Sequence, residues 1–314
     1  TIADAVYNDD DLRKSIVSGK KLAGIFGSLC YPGMTYDDIL DSEKNPENYE
    51  YGNMYGKSKA AMFAMIYGGN ANTLVRNQGL SEEVAESAYK QWGVMFPGIE
   101  KSRQRVSDAF QPLVQAEGIG TAITWREPEE YVESFLGFRR YHNLEYQIAH
   151  SLFKLAQKMP PEWKNCTDSV VRSEHRGTQQ AAGALGSALY GTAFGLTEGI
   201  VRASANHEIQ SVGAEVTKDV QTKIWDLQPQ GVCEFIVSPM NIHDEVLSVT
   251  RPDKVDEVSK IVSETVESYR ELIPLVGMVW NKDMKNWAEK SGSDDDDNNV
   301  HITYDKEAIL KDIS

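Results

Sequence analysis

Apolar residues in the first third of the chain recur every three or four positions, which is the spacing of an amphipathic helix. Residues 56–69, GKSKAAMFAMIYGG, are good helix formers followed by two glycines, and they predict one helix. Residues 81–96 predict another, because Ser81 is a suitable N-cap, glutamates fill the first turn and Pro97 stops the helix. A third helix is predicted over 98–110. The first part of the chain is therefore predicted to be helical.

Strand patterns are few and lie mostly later in the chain. Residues 120–125 and 131–138 predict two strands paired around a polar turn. A helical pattern then covers 141–226, with a break at 159–163. Two strands around an acidic tip, a helix and a further strand are predicted over 233–240, 245–250, 252–271 and 275–280. We therefore predict an α+β chain with a helical first part and a small antiparallel sheet in the second.

The composition is that of a globular protein without a membrane segment. The 314 residues are 41% hydrophobic and 25% charged, and no apolar run reaches the ~18–20 residues that span a bilayer. Cys30, Cys166 and Cys233 are far apart and form no zinc-binding spacing. These features predict a cytoplasmic protein with reduced thiols and no membrane partner.

The net charge of −15 argues against nucleic-acid binding, because nucleic-acid-binding surfaces are basic. Part of the acidity is local, however. Residues 291–299, SGSDDDDNN, are a low-complexity acidic run that predicts a solvated linker or tail. The charge therefore leaves room for a local basic groove.

Lys59, Phe63 and Tyr67 are spaced four residues apart on the first predicted helix. Each step advances only about 40° around the helix axis, so the three side chains share one face. An ammonium, an aromatic ring and a phenol in a row suit a nucleotide. The alternative is a core stripe, with both rings buried and the lysine reaching out to solvent.

Arg202, Asn206 and Gln210 form a second row with the same spacing. Long hydrogen-bond donors in a row suit the minor groove of a duplex, where every base pair presents acceptors at purine N3 and pyrimidine O2. The alternative is a solvated helix face.

His243, Asp244 and Glu245 lie between two apolar runs that predict a β-hairpin. A carboxylate at a hairpin tip can bind a hard cation such as Mg²⁺, which prefers oxygen ligands. The alternative is an ordinary polar turn, in which aspartate is common.

Together and in this order, the three segments resemble motifs of family A DNA polymerases, the bacterial DNA polymerase I class. KSKAAMFAMIYGG resembles the family's nucleotide-binding fingers helix, RASANHEIQ resembles a later DNA-binding segment, and NIHDEV resembles the last catalytic motif of the palm. The dipeptide NW at 286–287 resembles the family's C-terminal ending. The likeness spans about residues 1–290.

The resemblance implies a polymerase right-hand fold, with mostly helical fingers and the C-terminal part of an antiparallel-sheet palm. Residues 1–200 would form the fingers, including a helical insertion at about 141–195. Residues 201–290 would form the palm part, and 291–314 an acidic linker and tail.

The resemblance also implies a role for each candidate residue. In the catalytic site, Lys59 would contact the triphosphate of a dNTP and help to protonate the leaving pyrophosphate, Phe63 would stack beside the incoming sugar and base, and Tyr67 would guard the templating position. Asp244 would bind the catalytic metal, with Glu245 as a less essential neighbour. The cofactor would be two Mg²⁺ ions, for which Mn²⁺ can substitute.

The DNA-binding residues would be Arg202, Asn206 and Gln210 in the minor groove of the primer–template, with His243 beside the primer terminus. One position departs from the family's pattern. Tyr55 stands where the family usually has an arginine one turn before the lysine, and Lys57 points elsewhere on the helix, so this triphosphate contact is in question.

The family's first catalytic motif, which supplies the other metal-binding aspartate, would precede Thr1. We therefore expect a C-terminal fragment that is inactive until an N-terminal polymerase fragment supplies that motif and the thumb. Excision of an intein, a split gene or proteolysis would each explain a chain that starts at Thr1. A bacterial virus, with the protein in the host cytoplasm, is the expected source.

Two rival functions remain. A single-subunit RNA polymerase shares this architecture but typically has serine in place of Glu245. A non-catalytic nucleic-acid-binding subunit could keep the fold, although intact Lys59 and Asp244 argue against it.

Overall fold

The computed structural model describes residues 2–115, 122–158, 178–243, 245–282 and 299–313. Helices make up 63% of the described residues and strands 11%, which confirms the predicted α+β class with its helical first part. The helices are α1 Ile2–Tyr7, α2 Asp10–Val17, α3 Leu22–Cys30, α4 Tyr36–Lys44, α5 Met54–Ile66, α6 Ala71–Gln78, α7 Glu82–Met95, α8 Pro97–Phe110, α9 Asn143–Gln157, α10 Thr178–Trp225, α11 Val255–Ser268 and α12 Lys306–Asp312.

The strands form four separate antiparallel pairs within the described ranges. They are β1 Leu113–Gln115 with β2 Ile123–Trp125, β3 Tyr131–Glu133 with β4 Arg139–Tyr141, β5 Val237–Ile242 with β6 Glu245–Thr250, and β7 Met278–Asn281 with β8 Asn299–Ile302. The predicted pairing of 120–125 with 131–138 is wrong. Residues 123–125 instead pair with the preceding 113–115, and 131–133 pair with the following 139–141. A strand's partner depends on contacts that its own alternation does not encode.

The chain divides into two compact units. The first contains Thr1–Ser102 and Ile209–Ser314, and the second contains Arg103–Glu208. Helix α10 contributes residues to both. The assignment of residues 1–200 to fingers with an insertion at 141–195, of 201–290 to part of the palm, and of 291–314 to a tail stays a prediction.

The core of the first unit packs around α5, which contacts α3, α4 and α6. Phe26 packs edge-on to Trp92 at 5.0 Å between ring centroids, and Trp92 in turn packs against Phe96 at 4.6 Å. Helix α3 approaches closely at Gly27, where an added Cβ would lie 2.6 Å from Ile39 and 2.8 Å from the Ser58 hydroxyl. Close packing of this kind holds α5 rigidly, with one face inward.

The second unit has two apolar clusters, around Val106 and Phe110 and around Leu113 and Phe153. Helix α9 forms the first part of the predicted 141–195 insertion, whereas 159–177 lies outside the described residues. No helix in the described ranges combines the length and the apolar character that a membrane span requires.

Part of the predicted tail, residues 291–314, forms regular secondary structure. Residues 299–302 form β8 and pair with β7, and α12 follows at Lys306–Asp312. The Asp305 side chain caps α12 by accepting from the backbone N–H groups of Glu307 and Ala308. The acidic run itself, up to residue 298, and NW at 286–287 lie outside the described residues.

Candidate nucleotide-binding and catalytic site

Helix α5 carries the first predicted row. It begins at Met54, where the Asn53 side chain accepts a hydrogen bond from the Gly56 backbone at 2.7 Å. Such a cap satisfies one of the free N–H groups of the first turn. The buried face of the helix consists of Met54, Tyr55, Ser58, Ala61, Met62, Met65 and Ile66.

The opposite face of α5 presents Lys59 and Phe63 to solvent. The Phe63 side chain is 42% exposed and stacks on Tyr67, with 6.3 Å between ring centroids and 11° between ring planes. Among the described residues, the Lys59 ammonium has no ion-pair partner. The core-stripe alternative therefore fails for Phe63, whereas Tyr67 is half-buried.

The end of α5 fixes the position of Tyr67. The Tyr67 backbone N–H donates to the Phe63 carbonyl at 3.0 Å, and Gly68 follows in the left-handed region with φ +90°. The Gly69 N–H donates to the Ala64 carbonyl at 2.7 Å, and an added Cβ at Gly69 would lie 2.7 Å from the same oxygen. This C-terminal arrangement needs glycine, and it confirms the predicted helix stop at Gly68 and Gly69.

Tyr55 and Lys57, which precede Lys59 on α5, have different surroundings. Tyr55 is only 8% exposed, and its backbone N–H donates to the Ser42 hydroxyl at 3.1 Å. Lys57 donates from Nζ to the Tyr51 carbonyl at 2.8 Å. The side chain of Lys57 is therefore engaged away from the row of Lys59, Phe63 and Tyr67.

The hairpin of β5 and β6 carries the acidic segment. Ile242 at the end of β5 pairs with Glu245 at the start of β6, and His243 directly follows β5. His243 is exposed and has φ +58°, the backbone region that a tight hairpin turn requires at its first central position. Glu245 is half-buried at the start of β6. Asp244, the predicted metal ligand, lies outside the described residues.

The second row, Arg202, Asn206 and Gln210, lies on one continuous helix, α10, as its spacing requires. Arg202 is exposed and pairs with Glu198 at 3.7 Å, and Gln210 is exposed. The Asn206 side chain is half-buried, and its Oδ1 atom is buried without a hydrogen-bond partner among the described residues. The row is therefore mixed in exposure, not a uniformly solvated face.

A residue that the sequence did not single out lies beside α5. The Lys21 ammonium lies 5.3 Å from the centroid of the Tyr55 ring. Neighbouring Lys20 and Lys21 are visible as a basic pair, but no spacing rule connects them with a helix that starts more than thirty residues later.

Comparisons with known proteins give matches in structure and none in sequence. No profile of a protein family matches the chain, and no curated protein matches it. The POL domain of Pol1 from M. smegmatis, solved in complex with DNA primer-template and dNTP, is similar in structure with a TM-score of 0.48 and 19% identity. The match covers 85% of this chain and 35% of that structure, so the chain spans about a third of its length.

Proposed function

We propose that this chain is part of a DNA-directed DNA polymerase of the family A type, with α5 as the nucleotide-binding helix of its fingers. The observation that carries the proposal is the exposure of Lys59 and Phe63 on the solvent face of a helix whose opposite face is buried. An apolar ring of this size is left in solvent at a cost, and large exposed aromatic side chains commonly mark binding surfaces.

In the proposed reaction, the primer 3′-hydroxyl attacks the α-phosphate of a dNTP. A new P–O bond forms to the primer as the hydroxyl proton passes to solvent, the bond from the α-phosphorus to the bridging oxygen breaks, and pyrophosphate leaves. The Lys59 ammonium binds the phosphates and donates a proton to the leaving pyrophosphate. Phe63 stacks on the sugar and base, and Tyr67 holds the edge of the templating position.

The carboxylate of Asp244 is an oxygen donor of the kind that Mg²⁺ prefers and would hold the metal, with Glu245 as a less essential neighbour. When bound, the two ions would stabilise the negative charge that develops on the reacting phosphate. Two ions need carboxylates on both sides. We propose that the remaining aspartate comes from a segment outside these 314 residues.

The β5–β6 hairpin offers a surface for such a segment. Met240 and Leu247 pair across the hairpin, as do Ser238 and Val249, so all four lie on one face. On that face Met240 is 54% exposed and Val249 is 68% exposed. An apolar sheet face in solvent is a surface that a partner segment would cover.

The row on α10 is proposed to hold the minor groove of the primer–template. Arg202 and Gln210 are exposed donors two helical turns apart. Asn206 lies between them in the row and would donate from its side-chain NH₂ toward a base edge.

The test is equilibrium binding of radiolabelled dATP in the presence of primer–template and MgCl₂. Lys59→Ala should weaken dATP binding roughly tenfold, because a hydrogen bond to a charged group is worth about 1.5–3 kcal/mol. Lys57→Ala is the matched control. It removes the same charge at a position two residues before Lys59, from a side chain that donates to the Tyr51 carbonyl instead. Equal losses in both variants, or none in either, would refute the assignment of α5.

The rival functions are separated by substrate. Incorporation of NTPs in preference to dNTPs by the completed enzyme would indicate the RNA polymerase alternative. DNA binding without incorporation of either would indicate the non-catalytic subunit.

A further inference from the structure

Resting on the proposed function, we infer that Lys21 is a second triphosphate-binding residue, which takes the place of a cation on α5 itself. One turn before Lys59, toward the N-terminus of α5, stands Tyr55, which belongs to the buried face of the helix. A neutral phenol at that position cannot bind phosphate as a cation does, and the Tyr55 side chain is in any case 8% exposed.

The Lys21 ammonium occupies the position over this ring. Its Nζ lies 5.3 Å from the Tyr55 ring centroid, within the ~6 Å range of a cation–π interaction. Lys21 is anchored at the other end, because its backbone N–H donates to the Tyr36 hydroxyl at 2.9 Å just before α3 begins. The side chain is therefore held at both ends while remaining exposed.

A cation held by an aromatic face differs from one held by a carboxylate. An ion pair cancels most of the charge, whereas a ring orients the ammonium and leaves its charge available to an anion. Among the described residues, no acidic side chain forms an ion pair with Lys21 or with Lys59. Lys21, over the Tyr55 ring, and Lys59, one helical turn further along α5, are thus two ammonium groups without an acidic partner among the described residues.

The spacing fits a polyphosphate. Tyr55 and Lys59 are one helical turn apart, about 5.4 Å along the axis, and both long lysine side chains can adjust by several ångströms. With the sugar and base on Phe63, Lys59 would meet the phosphates nearest the sugar. Lys21 would meet the terminal phosphate. The first turn of α5 adds the positive end of a helix dipole on the same side.

The experiment compares dATP, dADP and dAMP binding by equilibrium dialysis for wild type, Lys21→Ala and Lys20→Ala. Lys20 is the matched control, because it is the adjacent lysine, is exposed and lies 5.9 Å from a different ring, that of Tyr36. Lys21→Ala should weaken dATP binding roughly tenfold and leave dAMP binding within about twofold of wild type. Lys21→Arg should keep most of the affinity, and Lys20→Ala should change it little.

The outcomes separate the two proposals. If Lys59→Ala weakens dATP binding while Lys21→Ala does not, the inference about Lys21 is wrong and the proposed function stands. If Lys20→Ala and Lys21→Ala weaken dATP binding equally, the effect is general electrostatics and the inference is again wrong. If neither Lys59→Ala nor Phe63→Ala changes binding, the proposed function itself fails. Denaturant unfolding of each variant checks that its fold is intact.

Discussion

Substitution of Phe63 by alanine should separate a binding role from a structural one. The side chain is 42% exposed and its ring contact is with Tyr67, so its removal uncovers little of the core. Full burial of a Phe side chain is worth about 1.5–3 kcal/mol, so the buried part of Phe63 should contribute about 1–2 kcal/mol to the free energy of unfolding. A fully buried ring such as Phe26 should cost about 3–5 kcal/mol on truncation.

The loss in the free energy of nucleotide binding should be at least as large as the loss in the free energy of unfolding. Stacking of a base on an aromatic side chain is worth about 1–3 kcal/mol, measured by alanine substitution. Phe63→Ala should therefore weaken dNTP binding by roughly 5-fold to 150-fold. Both quantities can be measured on the same sample, by urea unfolding and by equilibrium dialysis with radiolabelled dATP.

Met65 supplies the control on the same helix. It is fully buried on the opposite face of α5, so Met65→Ala should lower the free energy of unfolding by about 2–5 kcal/mol and leave the dATP affinity of the folded protein unchanged. The reasoning would be refuted if Phe63→Ala were the more destabilising variant and dATP affinity stayed at the wild-type value.

Three further predictions concern the surroundings of the site. His243→Gly should raise the free energy of unfolding by about 0.5–1 kcal/mol by relieving the left-handed backbone at φ +58°, while primer extension falls; a loss of stability would contradict this. Burial, followed by the charge of a nearby arginine, lowers the pKa of His142 below its usual 6.5, so the unfolded chain binds the proton more readily and stability should fall as the pH drops below about 6.5. Urea unfolding at several pH values should show that fall, and His142→Gln should reduce it. Gly69→Ala should cost about 1–3 kcal/mol because its Cβ meets a backbone oxygen at 2.7 Å, whereas Gly93→Ala, with open space and a helical backbone, should stabilise by about 1 kcal/mol.

Local signals account for what the sequence predicted correctly. The N-cap role of Ser81 is confirmed, with its hydroxyl accepting from the Val84 N–H at 3.3 Å, and α7 ends at Met95, before Pro97. Capping and stopping depend on a few neighbouring residues, so they can be read directly from the sequence.

The predicted pairing of 120–125 with 131–138 is wrong because the second segment contains a turn as well as a strand. Residues 131–138 contain the turn of their own hairpin, where Gly137 has φ +88° and the Ser134 hydroxyl accepts from the Phe138 N–H at 3.1 Å. Glycine near the end of a strand pattern was the available signal.

The candidate site could be predicted in its spacing but not in its exposure. The four-residue interval places Lys59, Phe63 and Tyr67 on one face, yet a core stripe has the same interval. Only the packing of Met54, Met65 and their neighbours decides which face is inward. The position of Lys21 over Tyr55 is a long-range contact between separate helices, which no periodicity can encode.

Primer extension by the 314-residue chain combined with a segment that carries the first catalytic motif tests the central claim most directly. Wild-type protein with primer–template, dNTPs and MgCl₂ should add the nucleotide that the template specifies, and Asp244→Ala should abolish the addition. Activity that is unchanged in Asp244→Ala would contradict the proposed function, as would a wild-type mixture that binds primer–template but adds no nucleotide.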